Sequence, residues 1–179
     1  MDAIAFIQGC ERALKELIDE MRTPLMKYSY SILLNYTDAE DTVQTAFIKA
    51  YTNRKSIRNP ATLSSYMYRL TYNASVDIIR KRRFFVTEPQ RSSHNSSYIS
   101  DEMLAALGKL SAFDRAVVYG RAVDEMSYGE LAEIHGKSEQ SLRKRYERAK
   151  NKLFDLLKKK EPDEGFVTSR KLERRTCHE

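Results

Sequence analysis

Apolar residues recur three and four positions apart along most of the chain, the spacing that gathers them on one side of a helix. Between Cys10 and Tyr36 they are Leu14, Leu17, Ile18 and Met21, then Leu25, Tyr28, Ile32 and Leu33, with Pro24 dividing the two sets. Proline lacks a backbone N–H and suits the first turn of a helix, so this pattern predicts two helices, the second starting near Pro24. Thr37-Asp38-Ala39-Glu40 has the form of a capping box, a hydroxyl and a carboxylate that satisfy free N–H groups at a helix start. The helix it would open places Val43, Ala46, Phe47, Ala50 and Tyr51 on one side, with Asp41, Gln44, Thr45 and Lys49 on or beside the wet side. Ser56-Ile57-Arg58-Asn59-Pro60 breaks the pattern, because proline biases the preceding residue away from helical conformation. A further helix from about Ala61 would bury Leu63, Met67, Leu70, Ala74 and Ile78.

The second half repeats the logic with clearer stops. Met103, Leu104, Leu107 and Leu110 begin a helical stretch, and Ser111 offers a hydroxyl cap to the next helix, which carries Val117, Val118 and Tyr119. Ser127-Tyr128-Gly129-Glu130 is a second capping box, opening a helix with Leu131, Ala132 and Ile134 that stops at His135-Gly136. From Ser138 a longer helix would turn Leu142, Tyr146, Ala149, Leu153 and Leu156 inward and Arg143, Lys144, Glu147, Arg148 and Lys152 outward. Residues 86–101 are rich in Ser and nearly free of aliphatic side chains, which predicts a flexible linker. Residues 161–179 are expected to be a disordered tail. The chain therefore reads as all-α, with two small helical domains at 1–85 and 102–160.

Composition narrows the chemistry. The 179 residues include six Gly, four Pro and no Trp, which disfavours a turn-rich β protein. Cys10 and Cys177 lie near opposite ends and neither sits in a CxxC or Cys/His cluster, so no disulfide framework, metal or cofactor is expected. No apolar run approaches a membrane span, and Met1-Asp2-Ala3-Ile4 lacks the basic start of a secretion signal. No membrane insertion is expected, and a cytoplasmic protein is.

The net charge of +6 is unevenly placed. Residues 61–99 carry +4, chiefly from Arg80-Lys81-Arg82-Arg83; residues 100–135 carry −4; residues 136–160 carry +7. One such run is ordinarily a solvated helix face, but two runs closing two helical units suggest two contacts with a polyanion. The first run follows Tyr66, Met67, Tyr68, Arg69, Tyr72 and Asn73. Rings interleaved with cations suit unpaired bases, the rings stacking while the cations hold phosphates; the same tyrosines could instead supply core. The second run belongs to a capped helix, a Gly-containing turn and a longer basic helix, the form of a helix-turn-helix. Gln140, Arg143 and Lys144 would meet base edges in a major groove, and Arg148, Lys150 and Lys152 the phosphates. A basic hairpin used only for packing is the competing reading.

Taken in order, these segments resemble a known family. Asp38 to Tyr51 resembles the polymerase-binding helix of bacterial extracytoplasmic-function sigma factors of the sigma-70 family. Tyr66 to Asn73, followed by Asp77 to Arg83, resembles the segment that reads and melts the minus-ten promoter element. Leu107 to Leu157 resembles the fourth sigma region. The resemblance implies that Asp41, Gln44, Thr45 and Lys49 face core RNA polymerase, in place of a merely solvated surface. It implies that Tyr68, Arg69, Asn73, Asp77, Arg80, Lys81, Arg82 and Arg83 meet the minus-ten strand. It also implies that Ser138, Gln140, Arg143, Lys144, Glu147, Arg148 and Lys152 meet minus-thirty-five DNA. A non-catalytic initiation subunit is implied, with promoter DNA and an anti-sigma factor as partners and no small-molecule substrate. Tyr66, Ser111 and Lys137 depart from the family's usual Trp, Pro and aliphatic residues.

Two other functions fit parts of the pattern. A free-standing helix-turn-helix regulator would have no purpose for the aromatic-basic segment ending at Arg83. A metal nuclease would draw on Asp38, Glu40 and Asp41, yet carboxylates at a helix start are already favoured by the helix dipole.

Overall fold

The computed structural model describes residues 2–84 and 100–158, without the side chains of Arg83 and Phe84. Of the linker expected over 86–101, residues 86–99 lie outside the described residues, as does the tail expected over 161–179. Eight α-helices are present among those described: α1 (Ala3–Gln8), α2 (Glu11–Leu33), α3 (Tyr36–Thr52), α4 (Leu63–Phe84), α5 (Asp101–Leu107), α6 (Ala112–Ala122), α7 (Tyr128–His135) and α8 (Glu139–Lys158). No strand occurs among the described residues, and none of their helices is long and apolar enough to cross a membrane. The all-α reading holds.

The predicted break at Pro24 does not occur. Helix α2 runs through it, because Ala13, Leu17, Met21, Leu25, Tyr28 and Ile32 form one continuous buried stripe against α3 and α4. An interior proline costs about 3 kcal/mol, whereas each large apolar side chain fully removed from water contributes about 1.5–3 kcal/mol. Leu17, Leu25 and Ile32 are all fully buried, so packing outweighs the missing hydrogen bond. Leu34, in left-handed conformation at φ +56°, ends the helix.

The cap of α3 also differs from expectation. Asn35 supplies it, its side-chain oxygen accepting from the N–H of Asp38 at 3.0 Å, and Thr37 lies inside the helix. An Asn just after a left-handed turn already has the extended backbone a cap requires, so the helix starts before the hydroxyl can serve. Ser100 caps α5 and Asp101 opens it, so the last two positions assigned to the linker belong to the second unit.

Two rows of small hydroxyl residues let α2 and α4 approach closely. Ser29 and Ser75 hydrogen-bond each other at 3.2 Å, while Thr71 and Ser75 donate back to carbonyls of their own helix. The hydroxyls of Ser29, Thr71 and Ser75 thus each have a partner and cost little to bury. In the second unit the other expected caps form. Ser111 accepts from the N–H of Asp114, and Ser127 and Glu130 make both bonds of a capping box. These bonds stabilise the carboxylate and hold the pKa of Glu130 below its usual value.

The two units are packed against each other, which hydrophobic spacing did not predict. Helix α2 lies against α6 and α4 against α7, and the buried core continues across the seam through Tyr28, Tyr68 and Ala116.

Candidate nucleic-acid interface

Helix α8 is positioned by α7 and the turn between them. Gly136, at φ +62°, takes the left-handed conformation that closes α7, and its N–H donates to the Ala132 carbonyl at 2.8 Å. Ser138 then caps α8 by accepting from the N–H of Ser141. Leu142 and Ala149 are buried against α6 and α7, which turns the remaining face outward. Ser138, Gln140, Arg143, Lys144, Glu147, Arg148 and Lys152 are all exposed.

These side chains are not equally free. Arg143 lies over the ring of Tyr128, 4.8 Å from its centroid, and Arg121 approaches that ring at 5.4 Å. Glu147 pairs with Lys150 at 2.7 Å, which neutralises the acid within a basic face. Lys152 donates to the carbonyl of Lys109 at 2.8 Å, tying α8 to the end of α5. Arg145 points the other way, pairing with Asp114 at 2.7 Å and covering the ring of Phe113.

Helix α4 divides its predicted residues between surface and seam. Arg69, Asn73, Arg80 and Lys81 are exposed, and Arg69 lies over Tyr66. Asp77 pairs with Arg80 at 2.8 Å, and Arg82 pairs with Asp38 at the start of α3. Tyr68 is only 6% exposed, and its hydroxyl donates to Asp124 Oδ2 at 2.9 Å. Burial and the neighbouring Asp124 carboxylate push its pKa far above the ordinary tyrosine value. Tyr68 therefore lies in the seam, not on the open face where the aromatic-basic pattern set it. Arg83 belongs to α4, but its side chain lies outside the described part.

On α3, Asp41, Gln44 and Lys49 are exposed and Thr45 is half-buried. Ile48 stands among them, 67% exposed, on the same helical face. Asp38 and Glu40, considered as cation ligands from sequence, are paired with Arg82 and Arg22 respectively. No cluster of three His, Cys, Asp or Glu residues suited to a metal occurs among the described residues.

Sequence reasoning missed the residues of the seam. The buried guanidinium of Arg115 donates to the carbonyls of Ile32, Leu107 and Leu110, with Nε 2.9 Å from the Ile32 oxygen. A signal was available, because Arg115 falls in the stripe of Ala112, Ala116 and Tyr119. His135 lies against Tyr72 at 4.6 Å and Phe113 at 5.1 Å, with Nε2 3.5 Å from the Tyr28 hydroxyl. Burial lowers the His135 pKa to about 4. Nothing in its sequence neighbourhood marked it.

Residues 17–85 match the family Sigma-70 region 2, and residues 100–153 match Sigma-70, region 4. The chain is similar to the RNA polymerase sigma factor SigV of Bacillus subtilis, 24% identical over 148 residues that span 79% of this chain and 89% of the relative. It is also similar to the ECF RNA polymerase sigma factor SigE of Mycolicibacterium smegmatis, 27% identical over 161 residues, 80% of this chain and 61% of that longer protein. Among solved structures, the sigma factor RpoE in complex with the anti-sigma factor NepR from Bartonella quintana superposes with a TM-score of 0.71 at 25% identity, covering 82% of this chain and 98% of that one. With both sigma regions matched in order over an all-α fold, the chain belongs to the extracytoplasmic-function sigma factors of the sigma-70 family.

Proposed function

We propose that this chain docks on core RNA polymerase through the exposed face of α3, reads the minus-thirty-five element through α8 and captures unpaired minus-ten bases through α4. The observation that carries the proposal is the exposed row Gln140, Arg143, Lys144 and Arg148, set on α8 beyond a capped helix and a left-handed glycine. A helix at that place in a helix-turn-helix enters the major groove by its N-terminal part. There Arg pairs two-fold with guanine and Gln with adenine, while phosphate contacts set the register.

Docking uses the chemistry of an interface centre with a polar rim. Ile48 supplies apolar area, and Asp41, Gln44, Thr45 and Lys49 surround it with hydrogen-bonding groups. Opening the duplex needs no chemical step by this subunit. Unstacking a base costs a few kcal/mol; rings that stack on the freed base and cations that hold its strand offset that cost, so capture of melted DNA draws the equilibrium toward it. The chain acts as a non-catalytic subunit, in the cytoplasm where polymerase and chromosome are. An anti-sigma protein, as found on RpoE, holds it inactive until released.

Run-off transcription with purified core polymerase on a genomic promoter library tests the proposal. Discrete transcripts that depend on the chain are expected; the absence of initiation at every promoter overturns it.

A further inference from the structure

Helix α1 lies before residue 17, where the match to Sigma-70 region 2 begins, so the matched region does not account for it. A helix of six residues does not hold itself together in water. Its ends are closed locally. Asp2 accepts from the N–H groups of Ile4 and Ala5, and Gly9, left-handed at φ +91°, donates to the Phe6 carbonyl at 2.9 Å. What anchors it is Phe6, which is fully buried and meets the ring of Tyr51 near the end of α3, 6.3 Å between centroids. Helix α1 thereby lies against α2 and against both 3₁₀ turns of the connection from α3 to α4, Arg54–Ser56 and Pro60–Thr62.

Arg54, which opens that connection, is held by the same contacts. Its guanidinium carbon stands 4.3 Å from the Tyr51 centroid, and Nη1 donates to the Tyr51 carbonyl at 2.8 Å. Gly9 of the α1 turn lies against it too: a Cβ there would sit 3.1 Å from both Nε and Nη2. Nε is buried and has no hydrogen-bond acceptor among the described residues. Contact with the ring and the bare glycine, rather than a full set of hydrogen bonds, therefore keeps the guanidinium in place. A cation on a carbonyl of a helix's last turn is favoured by the dipole and opposes fraying. Ile48 and Lys49, both exposed, stand within one turn of Tyr51.

We propose that Arg54, seated by α1, is a positioning residue for the docking of α3 on core polymerase. It keeps the end of α3 ordered in the free chain, so that Ile48 and Lys49 meet the polymerase already in place. This rests on the docking face assigned to α3. Ordering a surface before contact removes part of the entropy lost on association, which is about two- to tenfold in affinity for each side chain otherwise immobilised at binding.

Arg54→Ala, Gly9→Ala and the double variant test this in the full chain, well below their unfolding temperatures. Amide hydrogen exchange in the free chain is expected to quicken over residues 48–53 in all three, with α8 unchanged. Affinity for core polymerase is expected to fall about two- to tenfold in each single variant, and no further in the double, because Gly9 acts through Arg54. Arg54→Lys, which keeps the cation but not the planar fork, is expected to recover affinity only in part. A residue that merely adds stability would move the melting midpoint and leave the affinity of the folded chain alone, so unchanged affinity overturns the proposal. Unchanged exchange, losses that add in the double variant, or full recovery by lysine overturn it equally. Should Gly9→Ala fail to fold, the two Arg54 variants decide. Failure of the unaltered chain to bind core polymerase instead removes the docking face of α3, a result distinct from the exchange measured on the free chain.

Discussion

Arg82, in the basic run that ends α4, pairs with Asp38 in the first turn of α3. Burial raises the Asp38 pKa and the guanidinium opposes that shift, so the pair keeps a half-buried carboxylate charged where it faces the start of a helix. One cation of the run is thereby held within the first unit, while Arg80 and Lys81 remain exposed.

Arg82→Ala is accordingly expected to act on stability, and Lys81→Ala on DNA. Removing Arg82 leaves the half-buried Asp38 without its cation, and the first unit is expected to lose about 1 kcal/mol in urea unfolding. Lys81→Ala is expected to leave the unfolding midpoint in place and reduce the salt dependence of promoter binding by about one counterion. Equal salt slopes for Lys81→Ala and the unaltered holoenzyme would refute this division.

Ile48 is a large apolar side chain set in an otherwise polar face of α3. Ile48→Asp leaves the core untouched, so the melting curve is expected not to move, while affinity for core polymerase falls tenfold or more, on the scale of about 1.4 kcal/mol per tenfold. Competition for core against a second sigma subunit measures it, and undiminished competition would take Ile48 out of the docking surface.

Arg143 is held over Tyr128 as well as facing outward. Arg143→Ala is expected to weaken discrimination at the upstream element by on the order of 1–3 kcal/mol. Tyr128→Leu, which removes the ring that restrains the guanidinium, is expected to produce a smaller loss at the same base pair. Mapping both variants on single-base promoter changes distinguishes this from a general weakening, in which every base pair would be affected alike.

Gly136 is required by backbone and not by space: at φ +62° a side chain is strained, yet no atom lies within 4 Å of where a Cβ would sit. Gly136→Val is expected to cost about 1–2 kcal/mol, and Gly136→Asn, which tolerates this conformation, distinctly less. Thermal unfolding compares them; equal losses would mean that crowding, not conformation, selects glycine there.

His135 gives the fold a pH dependence of known sign. Its folded pKa, about 4, lies below the ordinary value, so the neutral ring is favoured in the folded chain and the unfolded chain binds the proton first. Stability from this residue is complete above about pH 6.5, the unfolded value, and is lost as pH falls from there toward 4. The groups around the ring are Tyr28, Tyr72 and Phe113, with Arg145 over Phe113. Comparing urea midpoints at pH 7.5 and 5 for the unaltered chain and His135→Phe isolates the effect, since other groups titrate in both. The unaltered chain is expected to lose more; identical losses would show that the ring is solvated.

By itself the sequence determined what depends on near neighbours. Capping residues such as Ser111, Ser127 and Glu130 act within one turn, and the apolar stripe of α8 needs only its own periodicity, so those helices, the glycine turn and the exposed row from Gln140 to Arg148 were legible. The Pro24 break and the Thr37 cap failed because their outcome was set by competition: a buried stripe outweighed one proline, and Asn35 stood nearer the end of α2. What only the tertiary structure decided is which surfaces are covered. Tyr68 with Asp124, Arg115 with Ile32 and Tyr72 with His135 join residues 56, 83 and 63 positions apart, and no local pattern records such a pairing. An aromatic residue between cations has the same sequence signature whether it waits for a base or packs on a partner helix, and only the placement of the second unit against the first distinguishes the two.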